Sequence, residues 1–228
     1  MLQLQKILFP TDFSKCAEQA LAHAVFLAEK YGAEIHVLHV ITIFEDQPSV
    51  VSNEIAETKE MVRKLEDIAE KQLNKIVDSH SADDSKITTE VKRSLSAAPA
   101  ILEYASENKI DLIVMGTHGR RGLGHLLLGS AAEEVIRLAP CPVFTIRELK
   151  EPKPVMQVNN ILVPIDFSNY SEKALAYASE IAQSYNAQLQ LLHIIEETMH
   201  PAFSVTGKSS IFDLVPGIKD DSKKRTEK

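Results

Sequence analysis

Apolar residues follow two alternating patterns along the first 147 residues, short continuous runs and longer stretches with helical spacing. The short runs predict strands at 7–10, 35–41, 111–115 and 142–146. The segment 86–93 alternates between apolar and polar residues, as expected of a strand at the edge of a sheet. Helical spacing predicts helices at 15–31, 54–79, 98–108 and 130–138. This β-α-β-α-β-α-β-α-β order predicts an α/β fold with a doubly wound, five-stranded parallel sheet.

The ends of the first helix carry recognisable capping residues. Ser14 precedes the apolar face, and its hydroxyl is suited to accept a hydrogen bond from a first-turn amide. Gly32 follows the face, where a residue able to adopt the left-handed conformation ends a helix. The pattern therefore places this helix between Ser14 and Gly32.

The beginning of the chain is repeated later in the sequence. Residues 6–41 align with residues 160–195 without a gap, and 17 of the 36 positions are identical. Average composition would give about one identity in fifteen, so the segment is a duplication. Both copies are predicted to form a strand, a helix and a second strand, which implies a right-handed parallel crossover.

The second copy is shorter than the first. Residues 148–158 contain two prolines and no periodicity, and we interpret them as a linker between a complete domain at 1–147 and a partial copy at 159–228. The partial copy holds the strand-helix-strand segment and a charged tail, so that about half a domain is missing. Truncation of a longer tandem protein is one explanation, which we favour. Completion of the sheet by a partner chain is the other.

Composition narrows the functional classes. Hydrophobic residues make up 44% and charged residues 25% of the chain, as in ordinary globular proteins. The net charge of −7 argues against a general nucleic-acid binder. No apolar run approaches the ~18 residues of a membrane span, and the N-terminus lacks the features of a signal peptide. Two cysteines cannot build a disulfide framework, which favours reduced thiols and a cytoplasmic protein.

A glycine-rich segment at 113–131 carries the most specific chemistry. A predicted strand runs into Gly116 and Gly119, and Gly129-Ser130 opens the next helix, with Gly122 and Gly124 between them. Glycines at this edge of a parallel sheet let backbone amides approach an anion, and the following helix start favours negative charge. Neither a Walker A motif nor a dinucleotide fingerprint in its required place is present. The glycines either make a turn after the strand or form a phosphate site of another type. Their number and their position between a central strand and a helix favour the phosphate site.

The spacing Gly-x2-Gly-x9-Gly-Ser, formed by Gly116, Gly119, Gly129 and Ser130, resembles the signature of the universal stress protein family. The PTDFS segment at 10–14, LHV at 38–40 and CPV at 141–143 are also similar to that family. The resemblance covers residues 1–147 and, with the duplication, suggests a tandem member. It implies a Rossmann-like fold of the adenine-nucleotide α-hydrolase type.

The resemblance also implies an ATP site, whose phosphates can hold Mg²⁺, with no assigned catalytic residue or protein metal ligand. The implied adenosine and ribose contacts are Pro10, Thr11, Asp12, Val40, Met115 and Gly116. The implied phosphate contacts are His118, Gly119, Gly129, Ser130 and Ala131. Such a protein is expected to regulate a stress response through conformation or association, with at most slow ATP hydrolysis.

The second copy departs from this pattern. Asp166 and Ser168 match Asp12 and Ser14, but Ile165 replaces Thr11, and no glycine loop follows. An independent nucleotide site is therefore not expected in residues 159–228. Because the aspartate recurs without a complete site, Asp12 is interpreted as structural or ligand-positioning rather than as an acid–base catalyst.

Two other functions remain open, an adenylyl-transfer enzyme and a nucleotide-free interaction module of the same fold. The motifs usual for adenylyl transfer are absent. Homodimerisation is expected because the apolar strand at 142–146 lies at a sheet edge, where unpaired backbone groups favour strand pairing. The uncovered sheet face of the partial copy is a second reason to expect self-association.

Overall fold

The computed structural model describes residues 4–42, 52–80, 86–118, 129–149 and 158–194, together with 217, 220, 221, 223 and 224. The side chains of residues 52–58 are outside this description. Two compact units are present, one comprising Gln3–Val155 and the other Met156–Lys228 with Met1–Leu2. None of the described helices is long and apolar enough to cross a membrane.

The described residues of the first unit form five strands and four helices in strict alternation. The strands are β1 (Lys6–Pro10), β2 (Glu34–Thr42), β3 (Ile87–Ser94), β4 (Leu112–Gly116) and β5 (Val143–Ile146). The helices are α1 (Lys15–Tyr31), α2 (Ser52–His80), α3 (Ala97–Glu107) and α4 (Ser130–Leu138). All neighbouring strands are parallel, in the order β3-β2-β1-β4-β5. The predicted doubly wound α/β fold is confirmed.

The two predicted caps of α1 are also confirmed. The Ser14 hydroxyl accepts a hydrogen bond from the Ala17 amide at 3.2 Å. Gly32 adopts the left-handed conformation with φ 66°, and its amide donates to the Ala28 carbonyl. A side chain at Gly32 would be strained at this φ. The helix therefore ends at a glycine, which adopts the left-handed conformation without that strain.

One core lies between the sheet and the helix pair α3 and α4. It includes residues of β1, β2 and β4, represented by Leu8, Leu38 and Ile113, which are 0–1% exposed. Because side chains alternate along a strand, the odd-numbered residues of β2 lie on the opposite face. Strand β2 is therefore buried on both faces, with Ile35 and Val37 also 0–1% exposed.

Strands β1 and β4 lie at the point where the winding direction of the sheet changes. They are neighbours, yet the connection from β1 leads to β2 on one side and that from β4 leads to β5 on the other. A crevice forms at the carboxyl ends of strands at such a position. The loops that follow β1 and β4 therefore hold the residues that a ligand would reach.

The second unit repeats the start of the first. It contains β6 (Asn160–Pro164), α5 (Asn169–Tyr185) and β7 (Gln188–Leu192), and the two strands pair in parallel. Asn186 replaces the capping glycine and takes φ 53°. The second strand of this copy is predicted at 189–195 from its alignment with 35–41, but β7 ends at Leu192, because it pairs only with β6 among the described residues. Strand β2 continues to Thr42 on its bonds to β3.

Candidate functional site

The loop after β1 is held by three hydrogen bonds centred on Thr11. The Thr11 amide donates to the Leu38 carbonyl at 2.9 Å, and its hydroxyl accepts from the Phe13 amide at 3.0 Å. Its carbonyl lies 2.7 Å from Nδ1 of His39. A carbonyl only accepts, so Nδ1 carries the proton of that ring. Sequence reasoning missed His39 as part of this loop, although its recurrence as His193 in the second copy was a signal.

Phe13 is an unusual residue for its position in this loop. Its φ is 61°, in the left-handed region, and the centroids of its ring and of the His39 ring are 4.5 Å apart. A left-handed conformation costs a residue other than glycine roughly 1–2 kcal/mol. The hydrogen bonds of Thr11 and the contact with the His39 ring offset that free energy at the end of β1.

Asp12 bonds the backbone within the same turn. Its Oδ1 accepts a hydrogen bond from the Ser14 amide at 3.0 Å, and Asp166 accepts from the Ser168 amide at 2.9 Å. Hydrogen bonds from Ser168, and then from Ser171, lower the pKa of Asp166 to about 2. The same bond thus forms in a unit without a glycine loop, which favours the structural interpretation of Asp12.

Gly116, at the end of β4, lies against the first turn of α1. A Cβ built there would lie 2.8 Å from the Cys16 Sγ, 3.2 Å from the Cys16 carbonyl carbon and 3.3 Å from the Ala17 nitrogen. Two of these atoms are backbone, so a side chain has no room without displacing the helix. The structure therefore supplies a packing reason for this glycine, in addition to the anion contact considered from the sequence.

Helix α4 begins beside the loop that follows β4. The Gly129 amide donates to the Thr117 carbonyl at 2.8 Å, and Gly129 provides no side-chain cap. The first amides of a helix lack partners within the helix. Ser130 is exposed and Ala131 half-buried at this helix start. The arrangement suits an anion, which both the amides and the helix dipole stabilise.

His118 adds a side-chain group to this region. Its Nδ1 lies 2.9 Å from the Thr117 hydroxyl, while its Nε2 is buried and has no hydrogen-bond partner in the described part of the chain. A buried polar atom without a partner costs about 1–3 kcal/mol. This atom therefore identifies a place where a ligand group or a water molecule would be stabilising.

The remaining predicted residues lie around these two loops. Pro10 ends β1 and is buried, and Met115 is 6% exposed in the core beside α3 and α4. Val40 is half-buried near the end of β2, the next strand along the sheet. Gly119 lies outside the described residues, as do Gly122 and Gly124. Ten of the eleven predicted positions thus fall at the ends of β1, β2 and β4 or at the start of α4.

The described residues contain no group of three or more histidine, cysteine, aspartate or glutamate side chains arranged to hold a metal ion. Both cysteines are free thiols. Burial raises the pKa of Cys141 to about 11, so that this thiol is not activated as a nucleophile. Near the start of α4 the described residues offer backbone amides and the His118 ring rather than a metal-binding cluster.

Comparison with known proteins gives consistent results. The model of the universal stress protein family matches residues 3–147 and 157–222. Universal stress protein MJ0531 of Methanocaldococcus jannaschii is 36% identical over 151 residues, which cover 64% of this chain and 84% of that protein.

Two solved structures show the similarity of the fold. The universal stress protein UspA from Lactobacillus plantarum has a TM-score of 0.57 at 25% identity and covers 64% of this chain and 99% of its own. A universal stress protein from Archaeoglobus fulgidus DSM 4304 has a TM-score of 0.63 at 24% identity, covering 91% of this chain and 74% of its own. The similarity to the latter extends beyond the first unit.

Proposed function

The chain belongs to the universal stress protein family, and from that premise we propose that its first unit binds ATP as a regulatory ligand. The nucleotide changes the conformation or the association of the protein, with at most slow hydrolysis. The observation that carries the proposal is the buried Nε2 of His118, which has no hydrogen-bond partner among the described residues. His118 follows Thr117, whose carbonyl accepts from the Gly129 amide at the start of α4.

The hydrogen bond at the other nitrogen of His118 determines what Nε2 offers a ligand. When the Thr117 hydroxyl donates to Nδ1, the proton of the neutral ring is on Nε2, which then acts as a donor. Phosphate oxygens are acceptors, and the first-turn amides of α4 are donors of the same kind. Each helix-start contact with an anion contributes about 0.3–1 kcal/mol at an exposed site. This set of donors favours phosphate over a cation.

The remaining contacts are assigned along the strand ends. In the proposal, Pro10, Thr11 and Asp12 border the adenosine, and the backbone of Val40 holds the adenine. Met115 and Gly116 line the ribose, and the segment from Gly129 to Ala131, with His118 and Gly119, surrounds the phosphates. Any Mg²⁺ is held by the phosphates, because the described residues contain no metal-binding group of their own.

A homodimer is part of the proposal. Strand β5 lies at the edge of the five-stranded sheet and pairs only with β4 among the described strands. Its residues are half-buried, and the backbone groups on its outer side are suited to pair with a second copy. The cytoplasm remains the expected compartment, in line with the two free thiols.

Calorimetric titration with ATP tests the proposal on the full chain. The wild type should bind about one ATP per chain, because the second copy lacks a glycine loop. His118→Ala should weaken binding about tenfold, the equivalent of 1.4 kcal/mol, and His118→Gln should retain part of the affinity through its amide donor. His193→Ala is the matched control, since its ring bonds Ile165 in the second unit.

The alternative functions give different results in the same samples. Absence of any adenine-nucleotide binding at millimolar concentration would contradict the ATP site and favour a nucleotide-free interaction module. Multiple turnover of ATP with an acceptor would favour an adenylyl-transfer enzyme. Mass spectrometry of ligand that co-purifies with the chain identifies the nucleotide independently.

A further inference from the structure

His39, the residue that precedes Val40 on β2, makes two contacts with the loop that follows β1. Its Nδ1 donates to the Thr11 carbonyl at 2.7 Å, and its ring centroid lies 4.5 Å from that of Phe13. The Thr11 amide in turn donates to the Leu38 carbonyl at 2.9 Å. Thr11 is therefore bonded to β2 through both its amide and its carbonyl.

These bonds connect two parts of the proposed nucleotide site. In the proposed function, the loop at 10–12 borders the adenosine and the backbone of Val40 holds the adenine. The register of β1 and β2 ends with Pro10 beside Leu38, and the bond from His39 to Thr11 extends the connection past that pair. His39 thus holds the loop against the end of β2.

The duplication shows which contacts the two turns share. Ile165 stands in the place of Thr11 and has no hydroxyl to accept from the Phe167 amide. Phe167 nevertheless has φ 63°, and its ring centroid lies 4.6 Å from that of His193. Nδ1 of His193 lies 2.8 Å from the Ile165 carbonyl. The left-handed turn therefore forms without the threonine hydroxyl, whereas the histidine contacts are present in both units.

The conformation of Phe13 explains why the turn needs such contacts. Its φ of 61° lies in a region that residues other than glycine rarely adopt. Without the bond from His39, the Thr11 carbonyl and the Phe13 backbone could adopt more favourable conformations, so that only a fraction of the molecules would present the turn. A ligand that requires the turn then binds with an affinity reduced by that fraction.

We propose that His39 is a positioning residue of the nucleotide site, which holds the loop at 10–12 in the conformation that contacts the adenosine. The inference rests on the proposed function and adds a residue that is not among its eleven contacts. His39 acts through Thr11 and the turn at Phe13, at the adenosine part of the ligand. The phosphate contacts are assigned to other residues, so a change at His39 should affect the two parts of the ligand differently.

Calorimetric titration of the full chain with ATP, together with displacement of the bound ATP by adenosine and by tripolyphosphate, tests the proposal. His39→Phe retains a ring but loses the donor. It should weaken the binding of ATP and of adenosine by the same factor of about three to ten, within the range of one net hydrogen bond. The affinity for tripolyphosphate should not change. His39→Asn, whose amide can donate in place of Nδ1, should recover part of the loss.

His193→Phe is the matched control, because it removes the same donor from the second unit. It should leave all three affinities unchanged. Circular dichroism checks that each variant is folded.

Three outcomes would overturn the role of His39 and leave the proposed function intact. The first is a wild-type affinity of His39→Phe for ATP. The second is a loss of tripolyphosphate affinity equal to that of adenosine, because it would indicate a general effect on the first unit. The third is equal weakening of ATP binding by His193→Phe and His39→Phe. A wild type that binds no adenine nucleotide would instead overturn the proposed function, and the role of His39 with it.

Discussion

Substitution of Gly116 by alanine tests whether this glycine is required by packing. At a backbone conformation that alanine tolerates, such a change usually stabilises by about 0.4–1 kcal/mol through the unfolded state. Here the added Cβ would lie 2.8 Å from the Cys16 Sγ and 3.2 Å from a backbone carbon. Overpacking of this kind costs about 1–3 kcal/mol. We therefore expect Gly116→Ala to reduce the free energy of unfolding by about 1–2 kcal/mol without ligand.

A double-mutant cycle identifies the contact responsible. Cys16→Ala removes the nearest atom but leaves the two backbone contacts, so it should restore part of the stability lost in Gly116→Ala. The coupling free energy should be at least about 0.5 kcal/mol, as expected for residues in contact. Gly32→Ala is the matched control, because Gly32 has φ 66° and no atom within 4 Å of a built Cβ. It should destabilise through strain alone and be additive with Cys16→Ala.

Urea unfolding followed by circular dichroism measures these differences in the nucleotide-free protein. The reasoning is refuted if Gly116→Ala is as stable as the wild type or more stable. It is also refuted if the substitutions at Gly116 and Cys16 are additive. In either case the glycine would not be needed for the approach of α1 to β4, and its role would have to be sought in ligand contact alone.

Two further predictions concern titration and ligand contact. Burial lowers the pKa of His36, and Glu34 partly offsets this shift. The contribution of neutral His36 to the free energy of unfolding should therefore be complete above about pH 6.5 and be lost as the pH falls through the lowered folded-state pKa. His36→Gln should flatten this pH dependence in denaturation curves recorded between pH 5 and 8, and an unchanged slope would contradict the prediction. Asp12→Ala should weaken ATP binding in calorimetric titration by loosening the turn in which Asp12 bonds the Ser14 amide, whereas Asp166→Ala should not. Equal losses would contradict an ATP site formed by the first unit alone.

Features set by neighbouring residues could be predicted from the sequence. The succession of strands and helices along the chain followed from the apolar patterns. The two ends of α1 followed from Ser14 and Gly32, because capping involves residues within one turn. The central strand was predicted one residue early, at 111–115. Asp111 instead precedes β4, with its carboxylate accepting hydrogen bonds from the Gln5 and Lys6 amides at 2.9 Å.

Features set by distant residues could not be predicted. The crowding at Gly116 comes from Cys16, which lies about a hundred residues earlier in the chain. The hydrogen bond between His36 and Tyr104, at 2.8 Å, joins residues 68 positions apart. Periodicity indicates which face of a strand a side chain occupies, but it does not identify the partner on that face. For the same reason His118 was a candidate from its motif, whereas the burial of its Nε2 without a partner among the described residues could be seen only in the structure.

The recurrence of the left-handed phenylalanine bears on how such sequences are interpreted. Phe167 has φ 63°, and its ring centroid lies 4.6 Å from that of His193. Phe13 and His39 are arranged in the same way in the first unit. The turn therefore forms with the same aspartate bond in a unit that has no glycine loop. In this chain the proline-x-aspartate-phenylalanine-serine segment therefore forms the same turn in both units. The segment by itself does not distinguish the unit with the glycine loop from the unit without it.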